Sequence, residues 1–182
     1  MNHKNHLRWI TQTAVMLAAL VALQAITKPL GQLVTGSCVN AVLAVAVLVA
    51  GLGSGLTVAA ISPVLAFILN IAPQPLTVPA IMVGNCLYVL VLHLLADREG
   101  KHLLRQVIAW LAAAAVKFGA LYALVVGLLC GLLSEKLMAA GVMSAPMLKM
   151  LPATFSWPQL ITALVGGAVA MLMVPALRKA LK

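Results

Sequence analysis

Residues 107–129 read VIAWLAAAAVKFGALYALVVGLL, twenty-three positions carrying one formal charge, Lys117. At about 1.5 Å per helical residue, such a run is long enough to cross a hydrocarbon core roughly 30 Å thick. It shows none of the polar alternation of a barrel strand. Its N–H and C=O groups must therefore be satisfied within the segment, by a helix.

The same pattern recurs on both sides. Apolar stretches occupy 9–26, 33–50, 55–72, 79–96 and 158–177. They are separated by Thr27-Lys28-Pro29-Leu30-Gly31, Gly51-Leu52-Gly53-Ser54, Pro73-Gln74-Pro75, Asp97-Arg98-Glu99-Gly100 and the longer segment 134–157. Glycine, proline and charge are the expected punctuation between spans. With 107–129, these stretches predict an all-α integral membrane protein: one transmembrane domain over residues 1–182 with six transmembrane helices.

Composition agrees. Hydrophobic residues make up 64% of the chain and charged residues 8%, with a mean hydropathy of +1.12. A soluble domain carries roughly 25% charged residues, so this alphabet cannot cover a water-facing surface. The first apolar run lacks a small-residue cleavage signature and is read as a retained helix. Cys38, Cys86 and Cys130 are scattered through apolar runs and read as small buried hydrophobes rather than disulfide or metal ligands.

An even number of spans puts both termini on one side. Lys4, Arg8, Arg98, Lys101, Arg105, Arg178, Lys179 and Lys182 fall on that side, against Lys28, Lys136 and Lys149 on the other. By the positive-inside rule both termini are cytoplasmic. The net charge of +9 is thereby assigned to topology and anionic headgroups, with no nucleic-acid partner required. On the outer side, 134–157 contains Met138, Met143, Met147 and Met150 with two prolines, which suits a partly buried flap or an interfacial loop.

Polar side chains inside a bilayer are costly and therefore informative. Lys117 sits near mid-depth of its span, where it would bind an anionic group on a ligand, snorkel, or pair with helix-end carbonyls. Asn40, Asn70, Asn85, Tyr122 and Gln159 all fall in the outer halves of their spans, with Gln24 at the outer end of the first and Gln74 and Trp157 in the adjoining loops. The inner halves offer little besides Thr11, Gln12, Thr13 and His93. Individually the amides could simply bond between helices. Their common depth predicts an outward-facing substrate pocket formed by Asn40, Asn70, Gln74, Asn85, Lys117, Tyr122, Trp157 and Gln159.

Small residues form a second pattern. Ala14, Ala18, Ala22 and Ala25 recur at i, i+4, i+8 and i+11 on the first helix, a smooth stripe for close approach of another helix or for general packing. Ala163, Gly166, Gly167 and Ala170 give a similar stripe on the last.

Absences narrow the function. No phosphate-cradling Gly-x-x-x-x-Gly-Lys-Ser/Thr motif is present. Gly51-Leu52-Gly53-Ser54-Gly55 has leucine where a serine-hydrolase elbow needs glycine and reads as a tight turn. His3 and His6 near the terminus make a poor metal site, and none is predicted. No Asp or Glu lies within a span, and the halves show no convincing repeat, which disfavours an ion-coupled carrier. A membrane enzyme acting on lipid would need a catalytic set that cannot be assembled here. The rival non-enzymatic reading is an assembly protein held to others through its small-residue faces.

Ala14-x-x-x-Ala18, Gly51-Leu52-Gly53-Ser54-Gly55-Leu56-Thr57 and Ile61-Ser62-Pro63, set in this architecture, resemble segments of substrate-binding S components of energy-coupling factor (ECF) transporters. The resemblance implies a non-enzymatic subunit of the bacterial cytoplasmic membrane that captures a vitamin or related small micronutrient with high affinity. It implies as partners a transmembrane coupling protein and two cytoplasmic ATPases, which use the ATP; the chain itself needs no cofactor. It assigns contact with the coupling protein to Ala14 and Ala18, and to Ala22 by extension. It assigns closure of the site to 28–32, 73–75 and part of 134–157.

Overall fold

The computed structural model describes residues 3–71, 74–97 and 102–180. Pro73, Arg98, Lys101 and Lys182, together with the side chains of His3 and Lys4, lie outside the described set, as does the expected end of the third span at Ala72.

The described residues form helices α1 (His3–Thr27), α2 (Gln32–Val45), α3 (Leu52–Ile68), α4 (Val78–Leu95), α5 (Leu103–Leu121), α6 (Ser134–Ala139), α7 (Ala145–Thr154) and α8 (Trp157–Ala180). Helices α2 and α5 continue in wider i→i+5 turns over Ala46–Ala50 and Tyr122–Leu132. Among the described residues five helical stretches are long and apolar enough to cross a membrane: His6–Leu30, Gln32–Ala50, Pro75–Leu95, Leu103–Leu132 and Ala145–Ala180. The remaining one, α3, is apolar but only 17 residues long. It contains Pro63, whose ring removes one backbone hydrogen bond from its middle.

Chain reversals use the residues that tolerate them. Gly31 (φ 88°) and Gly51 (φ 93°) turn the chain between α1 and α2 and between α2 and α3. Asn70 (φ 55°) ends α3: its own N–H bonds Phe67 C=O and the Ile71 N–H reaches back to Ala66 C=O, a Schellman closure.

Six helices close into a ring in the order α1, α3, α4, α5, α8, α2 and back to α1. Glycines set the close approaches. A β-carbon on Gly55 would lie 2.8 Å from Val47 and Val89, and one on Gly84 2.8 Å from Leu121. Between α1 and α3, Gly53 admits the Trp9 indole, and Thr13 Oγ1 and Ser54 Oγ share a buried hydrogen bond of 2.7 Å.

The two ends of the ring differ. One end carries Arg8, Arg105 and Arg178, and the half next to it is filled by a core that includes Val45, Val58, Tyr88, Leu92, Ala113, Ala170 and Val174. Arg105 Nε donates to Leu95 C=O at 2.9 Å and Arg178 Nη2 to Leu48 C=O at 2.8 Å, so each arginine satisfies a carbonyl at a helix C-terminus. At the opposite end, 134–157 is not a plain loop: α6 and α7 fold over the bundle, burying Met143, Leu151 and Phe155 against Ala80, Leu121 and Val125. Met138 and Met150 remain exposed, so only part of the methionine set packs inward.

Candidate functional site

Below α7 lies a cavity of about 320 Å³. Its apolar wall includes Val39, Ile71, Ile81, Leu151 and Phe155, and its polar groups come from Gln24, Gln32, Thr35, Asn40, Gln74, Thr77, Asn85, Lys117, Thr154 and Gln159. These positions belong to α1, α2, α4, α5, α7, α8 and the segment before α4. That volume is at the small end of the range for ligand pockets, roughly 300–1,000 Å³.

Among the described residues Lys117 is the only charged one in the lining, and it is 3% exposed. Its Nζ donates to Asn40 Oδ1 and to Asn85 Oδ1, each at 2.6 Å, and lies 5.5 Å from the centroid of the buried Tyr88 ring. A lysine at the centre of a spanning helix costs about 2.5–3.5 kcal/mol, and hydrogen bonds to a charged group return about 1.5–3 kcal/mol each. Two such bonds and the ring face are therefore enough to hold the ammonium in place. They do not neutralise it, because amide oxygens carry only partial charge.

The asparagines are themselves fixed. Asn40 Nδ2 donates to Gly36 C=O at 2.9 Å and to Thr162 Oγ1 at 3.3 Å, while Thr162 Oγ1 donates to Gln159 C=O at 3.1 Å. Gln159 Nε2 in turn donates to Thr154 C=O at 3.2 Å, tying α8 to α7. Asn40 can occupy this position because Gly166 has no side chain. A β-carbon there would stand 2.4 Å from Ser37 O and 2.6 Å from Asn40 Cβ. Beside it, a β-carbon on Gly167 would meet Trp110 Cδ1 at 2.1 Å. The glycine pair of α8 is therefore used inside this chain, against α2 and α5.

Of the residues singled out from the sequence, the cavity brings together Asn40, Gln74, Asn85, Lys117 and Gln159. Three others lie elsewhere. Asn70 is exposed, closes α3 by its backbone and accepts a hydrogen bond from Lys28 Nζ on its carbonyl. Tyr122 and Trp157 are 47% and 68% exposed and both pack against Phe118, with Trp157 stacked at 5.8 Å between centroids. Thr35, Thr77 and Thr154 also line the cavity and Thr162 bonds Asn40, and none of these threonines was among the predicted site residues; Gln24, at the same outer level in the sequence, lines the cavity as well. Helical threonines commonly bond a carbonyl one turn back, so the sequence carries no signal separating these from structural ones.

The alanine stripe of α1 faces outward. Ala14, Ala18, Ala22 and Ala25 are all exposed, whereas Thr13, Leu20 and Thr27, seven residues apart, point into the ring. Among the described residues no group of three or more His, Cys, Asp or Glu side chains is placed to hold a metal ion.

A charge-bearing polar cavity inside an apolar helical ring is the arrangement of a multi-pass membrane protein with room for a small molecule. Residues 11–178 match the family described as ECF transporter, substrate-specific component, and the chain belongs to that family. At family level it is thus a membrane substrate-binding subunit of an ECF importer rather than an enzyme. Neither the curated proteins nor the solved structures provided a match.

Proposed function

We propose that this subunit captures a vitamin or related micronutrient with high affinity at the outer face of a bacterial cytoplasmic membrane, for import powered by partner ATPases. The observation that carries this reading is the Lys117 ammonium held between Asn40 and Asn85 at the floor of a cavity walled by α7. All six ring helices cross the bilayer. Helix α3 does so at the lower limit of length, about 25 Å for its 17 residues. Both termini and the arginine end are cytoplasmic, as the positive-inside rule requires.

Substrate contacts belong to Asn40, Gln74, Asn85, Lys117 and Gln159, and α7 with the neighbouring turns closes over the ligand. Asn70, Tyr122 and Trp157 act outside the cavity, in capping and packing. Exposed Ala14, Ala18 and Ala22 form the face on which a transmembrane coupling protein slides. The two ATPases bind and hydrolyse ATP, and this chain holds no cofactor. The assembly-protein alternative loses one of its two surfaces, since Gly166 and Gly167 are buried within the ring.

The test is ligand-dependent thermal unfolding of detergent-purified protein against a vitamin panel, after denaturing release of any co-purified molecule. A ligand at 100 times its dissociation constant adds about 2.7 kcal/mol to the folded state. One strong hit supports the reading. A fully folded protein with neither co-purified ligand nor response points instead to assembly.

A further inference from the structure

Resting on the binding-subunit reading above, we infer that the substrate is a small organic anion that places a carboxylate or phosphate against Lys117 and presents an N–H or O–H donor to the α1–α2 wall. The charge balance of the cavity carries the first half. An ammonium has three N–H bonds. Two are taken by Asn40 and Asn85, and the cavity borders the same nitrogen's side chain. Among the described residues no acidic side chain lines the cavity. The chain has three in all: Asp97 at the arginine end, Glu99 two residues on, and Glu135, exposed on α6. Among the described residues none supplies a counter-ion to this lysine.

A buried, unneutralised cation favours a ligand that brings the missing charge, because the pair then forms where water screens it least. The same cation, with no carboxylate opposing it, repels a positively charged substrate. The two amide oxygens fix the ammonium before the ligand arrives, so little side-chain freedom remains to be lost on binding.

The second half rests on two unfilled hydrogen-bonding atoms. Gln24 Oε1 and Thr35 Oγ1 are buried, belong to residues that line the cavity and have no hydrogen-bond partner among the described residues. The first is an acceptor only, so a complementary ligand carries a donor. The apolar part of the wall, Val39, Ile71, Ile81, Met150, Leu151 and Phe155, holds a single aromatic ring, which suits a compact apolar body rather than a large stacked ring system.

The decisive variant is Asn85→Asp. It is nearly isosteric, and it sets a carboxylate where an oxygen already accepts from Lys117 at 2.6 Å. Lysine and aspartate then neutralise each other and the fold is retained. Small molecules released from the purified protein by denaturation are identified by mass spectrometry. Protein stripped of them is titrated by thermal unfolding with matched anionic and neutral probes: nicotinate and nicotinamide, pantothenate and pantothenol, biotin and its amide, lipoate and lipoamide.

The expected result is a released molecule bearing a carboxylate or phosphate, and stabilisation by the anionic member alone of any pair that binds. Affinity for the anion falls at least about 30-fold in Asn85→Asp, the lower end for an unbalanced buried charge pair. The ligand-free variant unfolds no earlier than the original protein. A neutral or cationic released molecule, or a neutral probe bound equally by both proteins, overturns the anion assignment and leaves the binding-subunit reading standing. No released molecule and no response to any probe overturns both.

Discussion

Gly166→Ala adds one methyl group and should be among the most disruptive single changes in the ring. The added carbon would meet Ser37 O at 2.4 Å, Asn40 Cβ at 2.6 Å and Ala41 N at 2.8 Å, three atoms of α2 of which two are backbone. Ordinary contact lies near 3.5–4 Å, so α2 and α8 must separate by about 1 Å. Overpacking of this kind costs about 1–3 kcal/mol. The separation also breaks the 3.3 Å bond from Asn40 Nδ2 to Thr162, adding about 0.5–1.5 kcal/mol. A total of about 2–4 kcal/mol corresponds to a fall of roughly 4–16 °C in unfolding temperature for a chain of this size. Because Asn40 moves with α2, ligand affinity falls as well. The control is Gly119→Ala, on an exposed helical position with nothing within 4 Å of the new carbon, where stability should be unchanged or slightly higher. The assay is fluorescence-detected thermal unfolding of both variants in the same detergent. If Gly166→Ala unfolds within about 1 °C of the original protein, α8 is not seated on α2 as described, and the account of how Asn40 is held fails with it.

Other substitutions separate stability from function. Lys117→Met leaves two amide oxygens unpaired, at about 1–3 kcal/mol each, but removes a buried charge costing about 2.5–3.5 kcal/mol. These terms nearly cancel, so thermal unfolding should change little while ligand-induced stabilisation disappears. Ser54→Ala should cost only about 0.5–1.5 kcal/mol, because Thr13 Oγ1 keeps its 2.7 Å bond to Trp9 C=O; a larger loss in a denaturation curve would mean that Ser54 has a further partner. Ala18→Trp, on the exposed face of α1, should leave unfolding and ligand binding intact while abolishing co-purification with the coupling protein and cellular uptake. Normal uptake by that variant would move the coupling surface elsewhere.

The fold was legible because its signals are additive along the chain. Each ring helix announces itself by a long apolar run, and Gly31 and Gly51 stand where the chain must take positive φ. Segment 134–157 was harder. Its two short helices draw their stability from Met143, Leu151 and Phe155 packing on α4 and α5, contacts far away in sequence. The third helix shows the opposite problem, since its apolar run looks long enough from composition, yet the closure at Asn70 ends the helix at Ile68.

Depth in the bilayer follows from counting residues, but facing does not, and this divides the site predictions. Counting sets Asn40, Asn85, Lys117 and Gln159 at one level, and the ring turns all four inward. Tyr122 lies in the same half of the bundle, five residues beyond Lys117, and five steps of a 3.6-residue helix rotate it by about 140°. It consequently lies against Phe118 on the outside. An apolar exterior gives no polar stripe against which to judge rotation, because lipid-facing and core-facing positions are both hydrophobic. The rotation is set instead by the small residues: Gly84 under Leu121, and Gly166 under Ser37 and Asn40. These glycines decide which face of each helix can come close to its neighbour. The buried lysine marks the level of the site in the sequence; the glycines bring the two amide oxygens to it.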